Sequence, residues 1–427
     1  MASFPRSERR LGLVLAGGAA RGAYEAGVVQ YILEELPRSL GHEIALDVLA
    51  GTSVGAINAC FLAAFADQPK LRARLLVEHW TSLEVGEIVR FDRGGVSSMF
   101  RGLLGRPSSV KLLDDRRGGL LDPTGIEAVV ARAMHFPRIT ENLARGLFSA
   151  LTISTTHVGS GRTLVFVASD EPLPRWGHDS TIVPRKTTIT AEHALASAAI
   201  PMLFPAVRIA GDFYCDGGLR QNVPLSPARR MGAHGLIVVS PRFLGEDAEE
   251  PLLSSHKTEL AREQAYPGLF FLLGKALNAL LLDRIDADLD RLRRINEILD
   301  AGTRRWGPTF VDQINLAMGR TAEDPIRPLR TVLVRASQDI GRLTAQYVKS
   351  PAFSDRVDGV LGYFIRRLAD GDAKSEADLL SYLLFDGLFA RQLIELGWKD
   401  ASQKHEELCH LITSLTEGGE GSGEGDI

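Results

Sequence analysis

Gly51-Thr52-Ser53-Val54-Gly55 places a serine between two glycines, with an apolar run before it and another after it. On a strand-to-helix turn, that pattern lifts a hydroxyl out of a sheet and aims the first helical amides toward it, as a nucleophilic serine requires. Glycines suit both flanks because the turn needs tight angles and close backbone approach. The same five residues also fit a structural glycine turn. A second segment, Gly17-Gly18-Ala19-Ala20-Arg21-Gly22, again lies between a strand-like and a helix-like run. Free N–H groups there form an anion site. A phosphate loop wants Lys-Ser or Lys-Thr after the last glycine, where Ala23-Tyr24 stand. A dinucleotide loop wants glycine at position 19 and an acid after the second strand, where Gly51-Thr52 stand. Two readings remain: amides waiting for a developing alkoxide, or a simple tight turn. The third segment, Asp216-Gly217-Gly218, follows Phe213-Tyr214-Cys215. It makes an Asx-turn or supplies a general base.

The 10 histidines show no metal-ligand spacing, and neither metal nor cofactor is expected. His193 and His234 both follow Ser53, and His234 also follows Asp216, so a Ser–Asp–His order can be written. Gly-Ala-His-Gly before an apolar strand nevertheless reads as an ordinary connection. Cys60, Cys215 and Cys409 are far apart and form no CxxC pair, which argues against a disulfide framework or a zinc site. With 427 residues, 45% hydrophobic and 24% charged, the chain has room for one large α/β domain and a second unit. A net charge of −4 offers no global basic field to nucleic acid.

The elements that must position these residues follow from apolar spacing. Leu11–Ala16 reads as a buried strand, and residues 23–36 as a helix stopped by Pro37. Ile44–Ala50 reads as a second strand, and Ala56–Ala66, apolar nearly all round, as a buried helix. Strand, turn, helix, repeated, is the pattern of a parallel sheet with crossover helices. Leu147–Ser154 and Thr163–Ala168 suggest a hairpin across His157–Arg162. Ala191–Ala199 reads as a short helix, and Phe213–Cys215 and Leu236–Ser240 as more sheet. Beyond a composition break at 245–250 the patterns turn helical, over 269–300, 357–368 and 377–396.

Taken together, the segments GLVLAGGAARGAYEAGVV (12–29), GTSVGAINA (51–59), ASAAIPMLFPAV (196–207) and YCDGGLRQNVPLSPARRMGA (214–233) resemble the patatin-like phospholipase family. Their order and spacing match over roughly residues 11–240. The resemblance implies a Ser–Asp dyad rather than a triad. Ser53 matches the family nucleophile and Asp216 the base. Gly17, Gly18 and Ala19 match the run whose amides stabilise the oxyanion, and Arg21 the basic residue of that loop. Gly22, Gly51, Gly55, Gly217 and Gly218 match motif glycines. The sequence departs from the pattern at Ala19, where the family usually has glycine; the backbone amide is still present there. The segment 196–207 matches a buried family segment expected to pack rather than react.

The expected fold is a three-layer α/β/α patatin-like domain with a mostly parallel central sheet, plus a mainly helical C-terminal extension. The expected boundaries are an N-terminal tail at 1–10, the catalytic domain at 11–240, the extension at 241–412 and a disordered acidic, Gly-rich tail at 413–427. The implied activity is serine acyl hydrolysis of lipid esters. An α/β-hydrolase-type esterase using His234 and a non-catalytic lipid-binding module are the alternatives. The expected partner is a lipid ester, with peripheral membrane contact and no nucleic acid. The polar start (residues 1–10) and the lack of about 18 continuous apolar residues suggest a cytoplasmic protein without cleavable signal or spanning helix. Residues 266–282, which cluster Phe270, Phe271, Leu272 and Leu273, are either core or an interfacial element.

Overall fold

The computed structural model describes residues 9–88, 119, 121–174, 176, 181–244, 285–320, 325–354, 356 and 380–416. The apolar run 266–282, the helical pattern 357–368 and residues 417–427 of the expected tail lie outside the described residues; the first four residues of that tail, 413–416, instead continue a helix that begins at His405.

Nine strands form one sheet among the described residues. They are β1 (Arg10–Leu15), β2 (Val48–Thr52), β3 (Ala150–His157), β4 (Thr163–Ser169), β5 (Ile182–Lys186), β6 (Val207–Ile209), β7 (Asp212–Asp216), β8 (Ala233–Ser240) and β9 (Arg330–Arg335). The order is β5-β4-β3-β2-β1-β8-β9, with β7 pairing β3 and β6. Pairs β1–β2, β1–β8, β2–β3, β4–β5 and β8–β9 are parallel, while β3–β4, β3–β7 and β6–β7 are antiparallel. The expected hairpin at His157–Arg162 is present. The second strand begins later than its apolar run suggests, at Val48, just after Asp47, whose carboxylate accepts the Leu11 amide and whose amide donates to the Leu11 carbonyl, both at 2.9 Å.

Three layers follow from the period-2 alternation of side chains along buried strands. Leu11, Leu13, Leu15, Leu49, Leu151, Ile153, Ile237 and Val239 share one hydrophobic cluster. Val14, Val48, Ala50, Ala150, Leu236 and Val238 share the other. The first face is covered by α1 (Gly22–Glu34), α2 (Val54–Ala64), α3 (Arg72–Thr81) and α4 (Ala191–Ser197). The second is covered by α5 (Leu225–Arg230) and the start of α6 (Ile285–Trp306).

The region beyond residue 240 is not only helical. Its strand β9 extends the sheet beside β8, with Gly235↔Arg330 through Ser240↔Arg335 in register. Its helices α7 (Gly387–Gln403) and α8 (His405–Thr416) return to the first face and bury Phe389, Leu393, Leu408 and Leu411 in the main cluster. The apolar pattern 377–396 is not one helix: α7 starts at Gly387, where the Asp386 carboxylate accepts the Leu388 and Phe389 amides. An N-cap of this kind fixes the start of a helix. The α1–α7 contact is close enough that a Cβ on Gly27 would collide with the Ile394 carbonyl, and one on Gly397 with that of Tyr24. Among the described residues no helix is long and apolar enough to cross a membrane.

Candidate active site

Sheet register brings Ser53 and Asp216 together. Strand β2 ends with Thr52 opposite Ser154 of β3. Strand β7 then takes over along the same edge of β3, with Asp216 opposite Thr155. The residue after Thr52 therefore meets the last residue of β7 at the break between two strands.

Ser53 turns the chain sharply at φ 56°, ψ −129°, and α2 starts at the next residue. A non-glycine residue with positive φ is strained and persists only where its surroundings hold it. Here the Ser53 amide donates to Ser197 Oγ at 2.8 Å, and Ser197 Oγ donates to the Ser154 carbonyl at 2.7 Å. The turn also needs close backbone approach. A Cβ on Gly51 would run into the start of α2, and one on Gly55 into the carbonyls of Leu15 and Ala16.

The Ser53 hydroxyl donates to Asp216 Oδ2 at 2.7 Å. The other carboxyl oxygen, Oδ1, accepts the Gly218 amide at 2.7 Å. Asp216 is wholly buried and Ser53 is 2% exposed. Burial pushes the Asp216 carboxyl up to about 7, against the opposing pull of the Ser53 and Gly218 hydrogen bonds. That value suits a base that must be free near neutrality and hold a proton briefly.

The glycine loop runs beside this pair. A Cβ on Gly17 would stand 3.1 Å from Ser53 Cβ and would collide with Asn222 Oδ1. The Gly17 amide itself is engaged, donating to the Asn222 carbonyl at 3.1 Å. Of the three residues expected to donate to an oxyanion, Gly17 is thus occupied, because the loop is stitched to the segment after Asp216. Among the described residues nothing accepts the amides of Gly18 and Ala19. Ala19 adopts φ 47°, which explains why glycine suits this position; its amide is nevertheless present and open. Arg21 is buried and turns away from the loop, donating through Nε to Ser381 Oγ at 2.8 Å and stacking 4.2 Å over the Tyr382 ring.

The histidines stand apart. Leu15 pairs with Val239 at the sheet end that carries the site, and His234 lies five residues earlier on β8. At about 3.3 Å per residue it is ~16 Å away along the strand. Its Nδ1 accepts the Arg10 amide at 3.2 Å, its Nε2 faces Arg327 at 2.9 Å, and burial with these guanidinium groups lowers it to about 4. His193 closes a capping box with Thr190 and meets the Phe166 ring edge-on at 4.4 Å. Neither reaches Ser53.

Three polar residues not singled out from sequence shape the site. Ser197 anchors the turn. Gln221 accepts the Thr52 hydroxyl at its carbonyl, 3.0 Å, and Asn222 Nδ2 donates to the Gly17 carbonyl at 3.3 Å. All three sit inside the motif segments 196–207 and 214–233. For Ser197 and Asn222 a polar side chain amid apolar or turn residues was the available signal; Gln221 accepts through its main chain, which its residue type does not mark.

The buried serine–carboxylate pair sits on a strand-to-helix turn of a three-layer α/β/α fold with a mostly parallel central sheet. Residues 13–229 match the family described as patatin-like phospholipase, and the chain belongs to that family. A protein of Pseudomonas aeruginosa (strain BWHPSA011 / Pa011) named cGAMP-activated phospholipase is 31% identical over 214 residues, covering 50% of this chain and 53% of that protein. The uncharacterized protein YjjU of Escherichia coli (strain K12) is 27% identical over 270 residues, covering 58% of this chain and 61% of its own length. The chain thus spans only part of the curated relatives it matches. Among solved structures, VipD from Legionella pneumophila aligns at 13% identity and TM-score 0.33, covering 93% of this chain and 67% of that one. Human GIVD cytosolic phospholipase A2, in complex with methyl gamma-linolenyl fluorophosphonate, aligns at 11% identity and TM-score 0.39, covering 96% and 59%.

Proposed function

We propose that the protein is a lipid acyl hydrolase that cleaves carboxylic esters through a Ser53–Asp216 dyad. The observation that carries this reading is the 2.7 Å hydrogen bond from the Ser53 hydroxyl to a buried Asp216 carboxylate. Family membership and a relative named as a phospholipase support the lipid ester as substrate class.

In this mechanism Asp216 Oδ2 takes the hydroxyl proton as Ser53 Oγ attacks the ester carbonyl. The carbonyl oxygen becomes an oxyanion, and the Gly18 and Ala19 amides donate to it. Collapse of the tetrahedral intermediate breaks the bond to the leaving alcohol, which takes the proton back from Asp216. An acyl group now sits on Ser53. Water, deprotonated by Asp216, attacks that acyl group, and a second collapse releases the fatty acid and restores the Ser53 hydroxyl. One residue serves as base and then acid in each half, which a carboxyl near 7 permits. The lipid reaches the site through peripheral contact with a membrane or micelle surface.

The test is labelling with an alkyl fluorophosphonate followed by peptide mapping. Label on Ser53, absent in Ser53→Ala and accompanied by ester hydrolysis in the wild type, is the expected result. An unlabelled, folded wild type that hydrolyses no lipid ester refutes the reading.

A further inference from the structure

The loop that carries the Gly18 and Ala19 amides is tied to a part of the chain far beyond the matched family region, which ends at residue 229. Arg21 closes the loop: its amide donates to the Gly18 carbonyl at 3.0 Å, spanning Ala19 and its positive φ. Its guanidinium does not face the serine. Nε and Nη2 both donate to Ser381 Oγ, at 2.8 and 2.6 Å, and the charged plane lies over Tyr382. Ser381 is fully buried and Tyr382 nearly so.

These two residues are held in turn. Phe385 stacks on Trp80 with ring planes 9° apart, and the Gly387 amide donates to the Leu83 carbonyl at 2.9 Å. Asp386 caps α7, accepts the Tyr347 hydroxyl at 2.6 Å and pairs with Arg356 at 3.3 Å. One turn into α1, the Tyr24 hydroxyl donates to Asp400 near the end of α7. The start of α1, which carries the loop, is therefore fixed at two points to the C-terminal segment 381–400. A donor pair must be placed to within a few tenths of an ångström of its hydrogen-bonding position to stabilise the developing oxyanion, and Ala19, two residues before the first of these ties, is strained.

We propose that Ser381 and Tyr382 are positioning residues for the oxyanion loop, acting through Arg21, so that the C-terminal element completes the catalytic site. The inference rests on the acyl-hydrolase reading above. It assigns the region beyond residue 240 a part in the reaction rather than in stability alone.

The experiment compares wild type, Ser381→Ala and Tyr382→Leu on a short soluble ester and on its thionoester, with melting temperatures for each. Ser381→Ala removes the shared acceptor of Arg21, and Tyr382→Leu removes the stacked ring. The expected result is a kcat on the oxoester lower by about 10- to 100-fold with KM little changed, as follows from a small misplacement of catalytic donors. Sulfur accepts hydrogen bonds weakly, so the thionoester gains little from the loop amides and its rate should fall far less. The ratio of oxoester to thionoester rate therefore drops in the variants. A purely structural role predicts lower melting temperatures with that ratio unchanged, and this outcome overturns the proposal. If Tyr382→Leu does not fold, Ser381→Ala decides alone. A wild type with no activity and no fluorophosphonate label on Ser53 instead refutes the acyl-hydrolase reading. An active wild type with unchanged Ser381→Ala refutes only the positioning role.

Discussion

Asp216→Asn should abolish ester hydrolysis and at the same time stabilise the protein above neutral pH. The buried carboxyl titrates at about 7 in the fold against 3.8 for its ordinary value. Its folded pKa is raised, so between those values the folded state binds a proton that the unfolded state lacks. Stability contributed by this group is therefore fully present below about 4 and is lost as pH rises through about 7. The difference of about three units corresponds to about 4 kcal/mol at pH 8. An asparagine in its place would keep the shape and could still accept from Gly218, but it carries no charge to bury and no basic oxygen to take the Ser53 proton. Urea titrations of wild type and variant at pH 4 and pH 8 isolate this contribution, because every other titrating group is shared. The variant should match the wild type closely at pH 4 and exceed it by about 4 kcal/mol at pH 8. For a chain of this length, with an unfolding entropy of about 0.9 kcal/mol/K, that is about 4–5 °C in melting temperature. Parallel pH dependence in the two proteins would refute the buried, proton-binding carboxyl, and retained hydrolysis would refute its role as base.

Ser53→Ala should lower ester hydrolysis by several orders of magnitude with folding intact, while His234→Ala, at the far end of β8, keeps near-full activity; equal loss in both would favour a triad. Ala19→Gly relieves a positive φ and should keep or raise kcat, with stability within about 1 kcal/mol of the wild type. Ala19→Pro deletes the amide and should cost about 10²–10³ in kcat, so a folded, fully active proline variant would remove Ala19 from the donors. Phe270→Ser with Phe271→Ser separates the two readings of residues 266–282: an interfacial element predicts lost vesicle binding, worth ~3–6 kcal/mol for two large side chains, with soluble-ester hydrolysis and melting temperature unchanged, whereas core packing predicts lost stability and lost activity on every substrate. A destabilised protein that fails equally on soluble esters would place both rings in the core.

What the sequence made legible is what the local backbone dictates. Leu11–Ala16, the turn at Ser53 and the Asp216-Gly217-Gly218 corner each announce themselves through apolar runs broken by glycine, and the structure brings Ser53 and Asp216 within one hydrogen bond. The partners that hold them are set by contacts between distant segments, which no local pattern encodes. Ser197 reaches Ser53 across 144 positions and Ser381 reaches Arg21 across 360. The same holds for β9, a six-residue strand whose place beside β8 depends on the sheet already being there. The break before α7 was readable: an aspartate and a glycine interrupt the apolar run at Asp386-Gly387, which is a helix-start signal.

The two strained residues at the site are held by different parts of the molecule, and this separation has a kinetic consequence. Ser53 is fixed from the sheet, through Ser197 and the β3 carbonyl of Ser154. Ala19 is fixed from the helical layer, through Arg21 and the segment before α7, while Gly17, two residues earlier, is the point where the loop is stitched to the segment after Asp216. Loosening the second tie should leave the Ser53–Asp216 hydrogen bond and the burial of Asp216 as they are. The pH profile of kcat/KM should therefore keep its rise through about 7 in Ser381→Ala, because its midpoint reports the buried carboxyl. Only the plateau should fall, because its height reports how well the amides meet the oxyanion. Ser197→Ala should do the reverse of sparing that midpoint: with the turn released, the hydroxyl leaves Asp216, one hydrogen bond that lowers the carboxyl is lost, and the midpoint moves up. A midpoint that shifts equally in both variants would mean that the loop and the dyad move as one body, and the separate support inferred from their contacts would be wrong.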